Sequence, residues 1–122
     1  MYKSLSISEL LDEWLEWAAN PNGDASGHSE FLWVVENEPE KGWLAILAAL
    51  TDPKQEPHLG TLAAGPLEDL LSFHGDKFIE RVELEAKKNP KFAWMLGGVW
   101  KHTMTDEIWS RVQLIGNFNS WK

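Results

Sequence analysis

The sequence predicts an all-α protein, a compact bundle or short α-solenoid-like array of six to seven short helices. Three observations predict it. Apolar residues recur at three- and four-residue steps in segment after segment. Ser, Thr, Asp, Asn, Pro and Gly punctuate the gaps between those segments as caps and turns do. No two-residue hairpin turn and no sustained strict alternation offers a strand. Without an internal repeat of fixed period, the compact form is favoured over the solenoid.

The first helix is "SISELLDEWLEWAAN", where Ser6 and Glu9 have capping-box spacing and Ile7, Leu10, Leu11, Trp14, Trp17 and Ala18 form one stripe. "NPNGDASGHS" reads as a loop, after which Ser29 caps "EFLWVVENE". Pro39 suits the first turn of a third helix, "EKGWLAILAALT", which is apolar nearly all round after Trp43 and so should be the most buried. "DPKQEPH" reads as a second loop.

A helix from "LGTLAAG" then restarts or kinks at Pro66 and runs to Gly75, and "DKFIERVELEAKK" is the next amphipathic segment. Within the latter, Glu83 and Lys87 have the spacing of a surface ion pair. Asn89-Pro90 reads as N-cap and first helical residue of "KFAWMLGGVWKHT". Thr105 starts the last helix, with apolar Ile108, Trp109, Val112 and Ile115, and Gly116 closes it. Of eight tryptophans, Trp14, Trp43, Trp94 and Trp109 stand at core spacing.

The length of 122 residues suits a single domain with a core of its own. No cysteine is present, which excludes disulfides and thiolate metal sites. The start "MYKSLSISELLDEW" has no signal-peptide pattern and no apolar run approaches a membrane span, so a cytoplasmic protein is expected. Charge is distributed unevenly. Residues 1–40 hold nine acids and one base, Lys3, whereas residues 41–122 hold ten of each, so the whole net charge of −8 lies in the first third. That argues against nucleic acid as partner, since phosphates need a basic face.

The stretch "AAGPLEDLLSFHGDKF" gathers Glu68, Asp69, His74 and Asp76. Helix punctuation accounts for all of them. Pro66 would open a helix, and Glu68 and Asp69 would be first-turn anions worth about 0.5–2 kcal/mol each. His74 would sit in the last turn, Gly75 would provide a left-handed C′ residue, and Asp76 would cap the helix after it. The catalytic alternative pairs Glu68 or Asp69 with His74 as acid and base. Residues five or six apart on one helix face different ways, so such a site would need a partner group from another element. His28, His58, His74 and His102 lack metal-pair spacing, no serine sits in a nucleophile elbow, and no glycine-rich phosphate loop occurs. No cofactor and no metal are expected.

"LAAGPLEDLL", His74-Gly75, "FIERVE", "NPKF" and "LGGVW", in that order, resemble an uncharacterised bacterial family of domains of unknown function. The resemblance covers residues 41–112 and leaves the acidic first third mostly outside. The family pattern falls here on Gly65, Pro66, Leu67, Glu68, Asp69, Leu70, His74 and Gly75. It implies a helical domain and no particular activity.

Three functional classes remain. A non-enzymatic binding module would dock a basic protein through Glu9, Asp12, Glu13, Glu16, Glu36, Glu38 and Glu40, as an immunity or antitoxin protein would. A small enzyme would use Glu68, Asp69 and His74. A structural domain would need neither. Small size, one-signed charge and the lack of a cofactor motif favour the first, as a monomer or weak dimer.

Overall fold

The computed structural model describes residues 5–116. Trp121 and the first four residues, including Lys3, lie outside the described residues. The architecture is all-α, with no strand among the described residues. Helices α1 (Ile7–Ala19), α2 (Ser26–Asn37) and α3 (Pro39–Leu50) pack on one another. A 3-10 turn (Pro53–His58), α4 (Leu59–Leu62) and a π turn (Ala63–Leu67) lead into the long α5 (Glu68–Lys88). That helix contacts α2 and α3 and carries α6 (Pro90–Leu96) and α7 (Asp106–Ile115) along it.

Several starts follow from local chemistry. The Ser6–Glu9 capping box is formed in both directions, at 3.1 and 3.0 Å. Asn89 accepts from the Lys91 and Phe92 amides, and Thr105 accepts from Ile108, so each satisfies first-turn N–H groups that have no helical partner. Pro39 and Pro90 occupy the first helical position, where a missing N–H costs nothing.

One cluster of buried side chains runs through the molecule. Trp14 is fully buried, with its ring 5.4 Å from Phe31, and Trp43 joins α3 to α5 and α6 through Phe78 and Phe92. Trp94 and Trp109 are only partly buried against that cluster. Helix α3 is well buried, but Leu44 on it is 53% exposed.

Four local expectations are corrected. Helix α2 starts at Ser26 rather than after Ser29, because Asp24 accepts from both the Ser26 amide and its hydroxyl and so organises the turn earlier. "DPKQEPH" is a 3-10 turn, nucleated by Asp52 accepting from Lys54, and it buries Gln55, which donates to the Leu11 carbonyl at 3.1 Å. Helix α6 ends at Leu96, since the tandem glycines that follow turn the chain. Glu83 takes its main partner from another helix: Arg111 of α7 grips it with two hydrogen bonds, which hold its carboxyl below the usual range.

The largest correction concerns residues 63–76. Pro66 does not start a helix. It lies buried in the π turn, whose wider ring accommodates the missing proline N–H without ending the helix. Gly75 is not a left-handed terminator and Asp76 does not begin a new helix, because α5 continues through both to Lys88. The helix breaks locally at His74 (φ −134°, ψ 24°). Gly75 instead lets α7 pack closely: a Cβ there would stand 3.0 Å from the Ile108 side chain, which would have to give way by a few tenths of an ångström.

Candidate functional site

Two places gather the residues that carry chemistry. The first surrounds the start of α5. The π turn delivers Glu68 and Asp69 as the first residues of that helix, facing the end of α2 and the segment 97–105 between α6 and α7. Glu68 accepts the backbone N–H of Trp100 at 2.9 Å. His102 Nε2 lies 4.0 Å from the Asp69 carboxylate, whose side chain is 15% exposed. Burial, reinforced by the nearby Glu36 and Glu68 carboxylates and opposed by His102, pushes the Asp69 carboxyl up to about 6.

Two backbone irregularities frame this centre. His102 adopts φ 47°, a left-handed conformation unfavourable for a residue with a side chain. At the break in α5, His74 places its Nε2 2.7 Å from the Glu36 carbonyl. A carbonyl only accepts, so the ring proton resides on Nε2. His74 therefore ties the break in α5 to the end of α2. Trp100, whose amide is held by Glu68, is 75% exposed.

The second place is a cleft of about 310 Å³ between α1 and the beginning of α2, lined by Glu13, Glu16, Trp17, Asn20, Asp24 and the Ser26–Gly27 backbone region. Its aromatic wall is fixed, since Trp17 packs 4.3 Å from the His28 ring and 5.0 Å from Trp14. Burial lowers the basicity of His28. Gly27 sets the floor: a Cβ on it would stand 2.0 Å from the Glu13 carbonyl oxygen.

The seven acids expected to form one face are therefore divided. Glu13 and Glu16 line the α1–α2 cleft, and Glu9 serves the capping box. Asp12 is exposed with Lys54 3.9 Å away, while Glu40 is gripped by both Arg81 nitrogens at 2.6 and 2.7 Å. That pairing holds the Glu40 carboxyl below its usual range. Glu36 joins the Asp69 centre, and exposed Glu38 follows it. Of the motif residues, Glu68, Asp69 and His74 meet there, Gly65 and Pro66 lie in the π turn, and Gly75 packs on α7.

The residues that sequence reasoning missed are Trp100 and His102, together with the link from Glu36 to Asp69. His102 carried no sequence signal, because a left-handed histidine follows no spacing rule. Among the described residues, no group of three or more His, Asp and Glu has a metal-holding arrangement. No helix among them is long and apolar enough to cross a membrane.

Residues 18–118 match a family described as a family of unknown function, DUF6869. This chain belongs to DUF6869. The match begins inside α1 and takes in all of α2, so it extends well beyond residues 41–112 and includes Glu36, Glu38 and the whole Asp69 centre. Comparison with curated proteins and with solved structures finds no match. The acidic segment from residue 18 onward is thus part of the DUF6869 domain rather than an appendage to it.

Proposed function

We propose that this DUF6869 chain is a non-catalytic binding module that docks a basic protein partner. The observation that carries this reading is the α1–α2 cleft, whose lining brings the carboxylates of Glu13, Glu16 and Asp24 together with the indole of Trp17. Carboxylates beside an indole face are the chemistry that receives an ammonium or guanidinium group. A second acidic group, Glu36 with Glu38, follows about 15 Å along α2, and the exposed Trp100 adds contact area beside the neighbouring Asp69 centre. An immunity-type protein that neutralises a basic toxin is the form of module such charge and size fit best.

The test is the association rate with a basic partner as salt rises from about 50 to about 500 mM, which should slow encounter markedly. Glu13→Gln, Glu16→Gln and Asp24→Asn together should weaken that salt dependence. An on-rate indifferent to both salt and these substitutions overturns the reading.

A second reading has one observation in its favour, the proton affinity of Asp69 close to His102. It makes that pair an acid–base centre. Glu68 and His74 would contribute little to it, since each already has a backbone partner. A hydrolytic activity lost in Asp69→Asn without loss of folding would favour this second reading.

A further inference from the structure

We propose that the groove between α5 and α7 is a docking site for a short basic segment of another protein. One large apolar side chain of that segment seats beside Phe73, and a flanking lysine or arginine faces Asp76 and Glu107. The groove encloses about 480 Å³, within the range of about 300–1,000 Å³ typical of pockets that hold small ligands. Leu71 and Ile79 of α5 and Ile108 of α7, all buried, form its apolar floor. Gly75 lies among them, and its missing side chain lets α7 come this close. Phe73 also lines the groove and is 53% exposed. Its backbone adjoins the break at His74, which the Glu36 carbonyl holds, so this exposed ring is carried on an anchored piece of chain.

The charges around the groove select the occupant. Asp76, Glu80 and Glu83 follow one another at steps of four and three residues, one stripe along α5. Glu107 and Arg111 stand four apart on α7, and Arg111 grips Glu83 with two hydrogen bonds, so the two stripes face each other. Glu80 and Glu107 also act on that guanidinium. Four carboxylates therefore share one cation, whose donors are already directed to Glu83. The other cations of α5 are turned elsewhere. Arg81 pairs with Glu40 of α3, Lys77 lies about 100° around the helix from Asp76, and Lys87 acts on Glu83 from the far end of the stripe. Asp76 and Glu107 line the groove and are exposed.

An exposed aromatic ring on an acid-edged concave surface fits a segment that brings both an apolar anchor and a cation. A second copy of this chain is the poorer occupant, because a net charge of −8 opposes placing one acidic surface on another. The same carboxylates oppose an anionic membrane surface. The groove shares no lining residue with the α1–α2 cleft, so this inference does not rest on that cleft.

The test is amide chemical-shift mapping on the full chain with the peptide acetyl-Arg-Trp-Arg-amide. Saturable shifts should gather on Phe73, Gly75, Asp76 and Ile108. The peptide acetyl-Arg-Ala-Arg-amide should bind there about tenfold more weakly for want of its anchor, and acetyl-Glu-Trp-Glu-amide should leave these residues unmoved. Asp76→Asn combined with Glu107→Gln should weaken the Arg-Trp-Arg peptide about tenfold at about 50 mM salt and less at about 500 mM. Phe73→Ala, a change at an exposed residue that should leave the melting temperature in place, should remove the preference for Trp over Ala. The absence of saturable shifts at the groove overturns the proposal, and so does equal affinity for the Arg and Glu peptides. Shifts confined to the α1–α2 cleft overturn it while leaving the docking reading intact. Concentration-dependent shifts at the groove without peptide overturn it in favour of a second copy.

Discussion

Gly27→Ala tests the close approach of α2 to α1. A Cβ on Gly27 would lie 2.0 Å from the Glu13 carbonyl oxygen and 2.5 Å from its carbon. Both are backbone atoms in the middle of α1, so no side-chain rotation relieves the overlap. Ordinary carbon–oxygen contact needs about 3.3 Å, so α1 and α2 must separate locally by about 1.3 Å. That gap loosens the contacts of Trp14 with Phe31 and of Trp17 with His28, which span the same two helices. Overpacking combined with lost dispersion contacts should cost about 3 kcal/mol. With 122 residues and an unfolding entropy of about 2.1 cal/mol/K per residue, the midpoint should fall by about 12 °C. Calorimetry measures this directly. Gly65→Ala is the control, since its Cβ would meet Trp14 at an ordinary 3.7 Å and alanine favours the helix. A Gly27→Ala protein melting within about 3 °C of the parent would refute the close approach, and so would an equal loss in Gly65→Ala.

Four further outcomes are expected. Asp69→Asn should stabilise the protein at neutral pH by about 1 kcal/mol, after allowance for solvent screening of a carboxylate that still touches water. The sign follows from a folded-state value of about 6 above the ordinary 3.8: the folded protein binds the extra proton, so the carboxylate's penalty is present above about pH 6 and relieved as pH falls toward 4. Thermal melts across that window should show the advantage of Asn fading in acid. Gln55→Ala should cost about 1–3 kcal/mol in urea unfolding, because the buried Leu11 carbonyl loses its donor. Arg111→Ala should lower the melting temperature at low salt and lower it less at high salt, with most of that loss absent in a Glu83→Gln background. Trp100→Ala should leave stability within about 0.5 kcal/mol, since the indole is exposed and the bond to Glu68 uses the backbone, yet it should weaken partner binding.

What the sequence by itself determined was local. The stripe of α1, the Ser6–Glu9 box, Pro39 and Pro90 at first helical positions and the Asn89 and Thr105 caps were all legible, because each depends on residues within one helical turn. Together these established an all-α protein. Residues 63–76 misled for the same reason. Pro, Gly, His and Asp at cap spacing signal a terminus wherever the local terms decide, and here tertiary packing overrode them. A π turn absorbs Pro66, α7 packs against Gly75, and the Glu36 carbonyl engages His74 at the break.

The charge pattern divides in the same way. Sequence located the acid excess in residues 1–40, but the fold brought Arg81 to Glu40 and Lys54 toward Asp12 from far along the chain. It also carried Glu36 to Asp69 and His102, residues whose separations in sequence contain no sign of contact. Caps and stripes are encoded in neighbours, whereas burial, repulsion and pairing depend on which elements meet. Only the tertiary structure decided that Asp69 is buried, and beside other carboxylates, and so holds its proton more tightly than an exposed aspartate would.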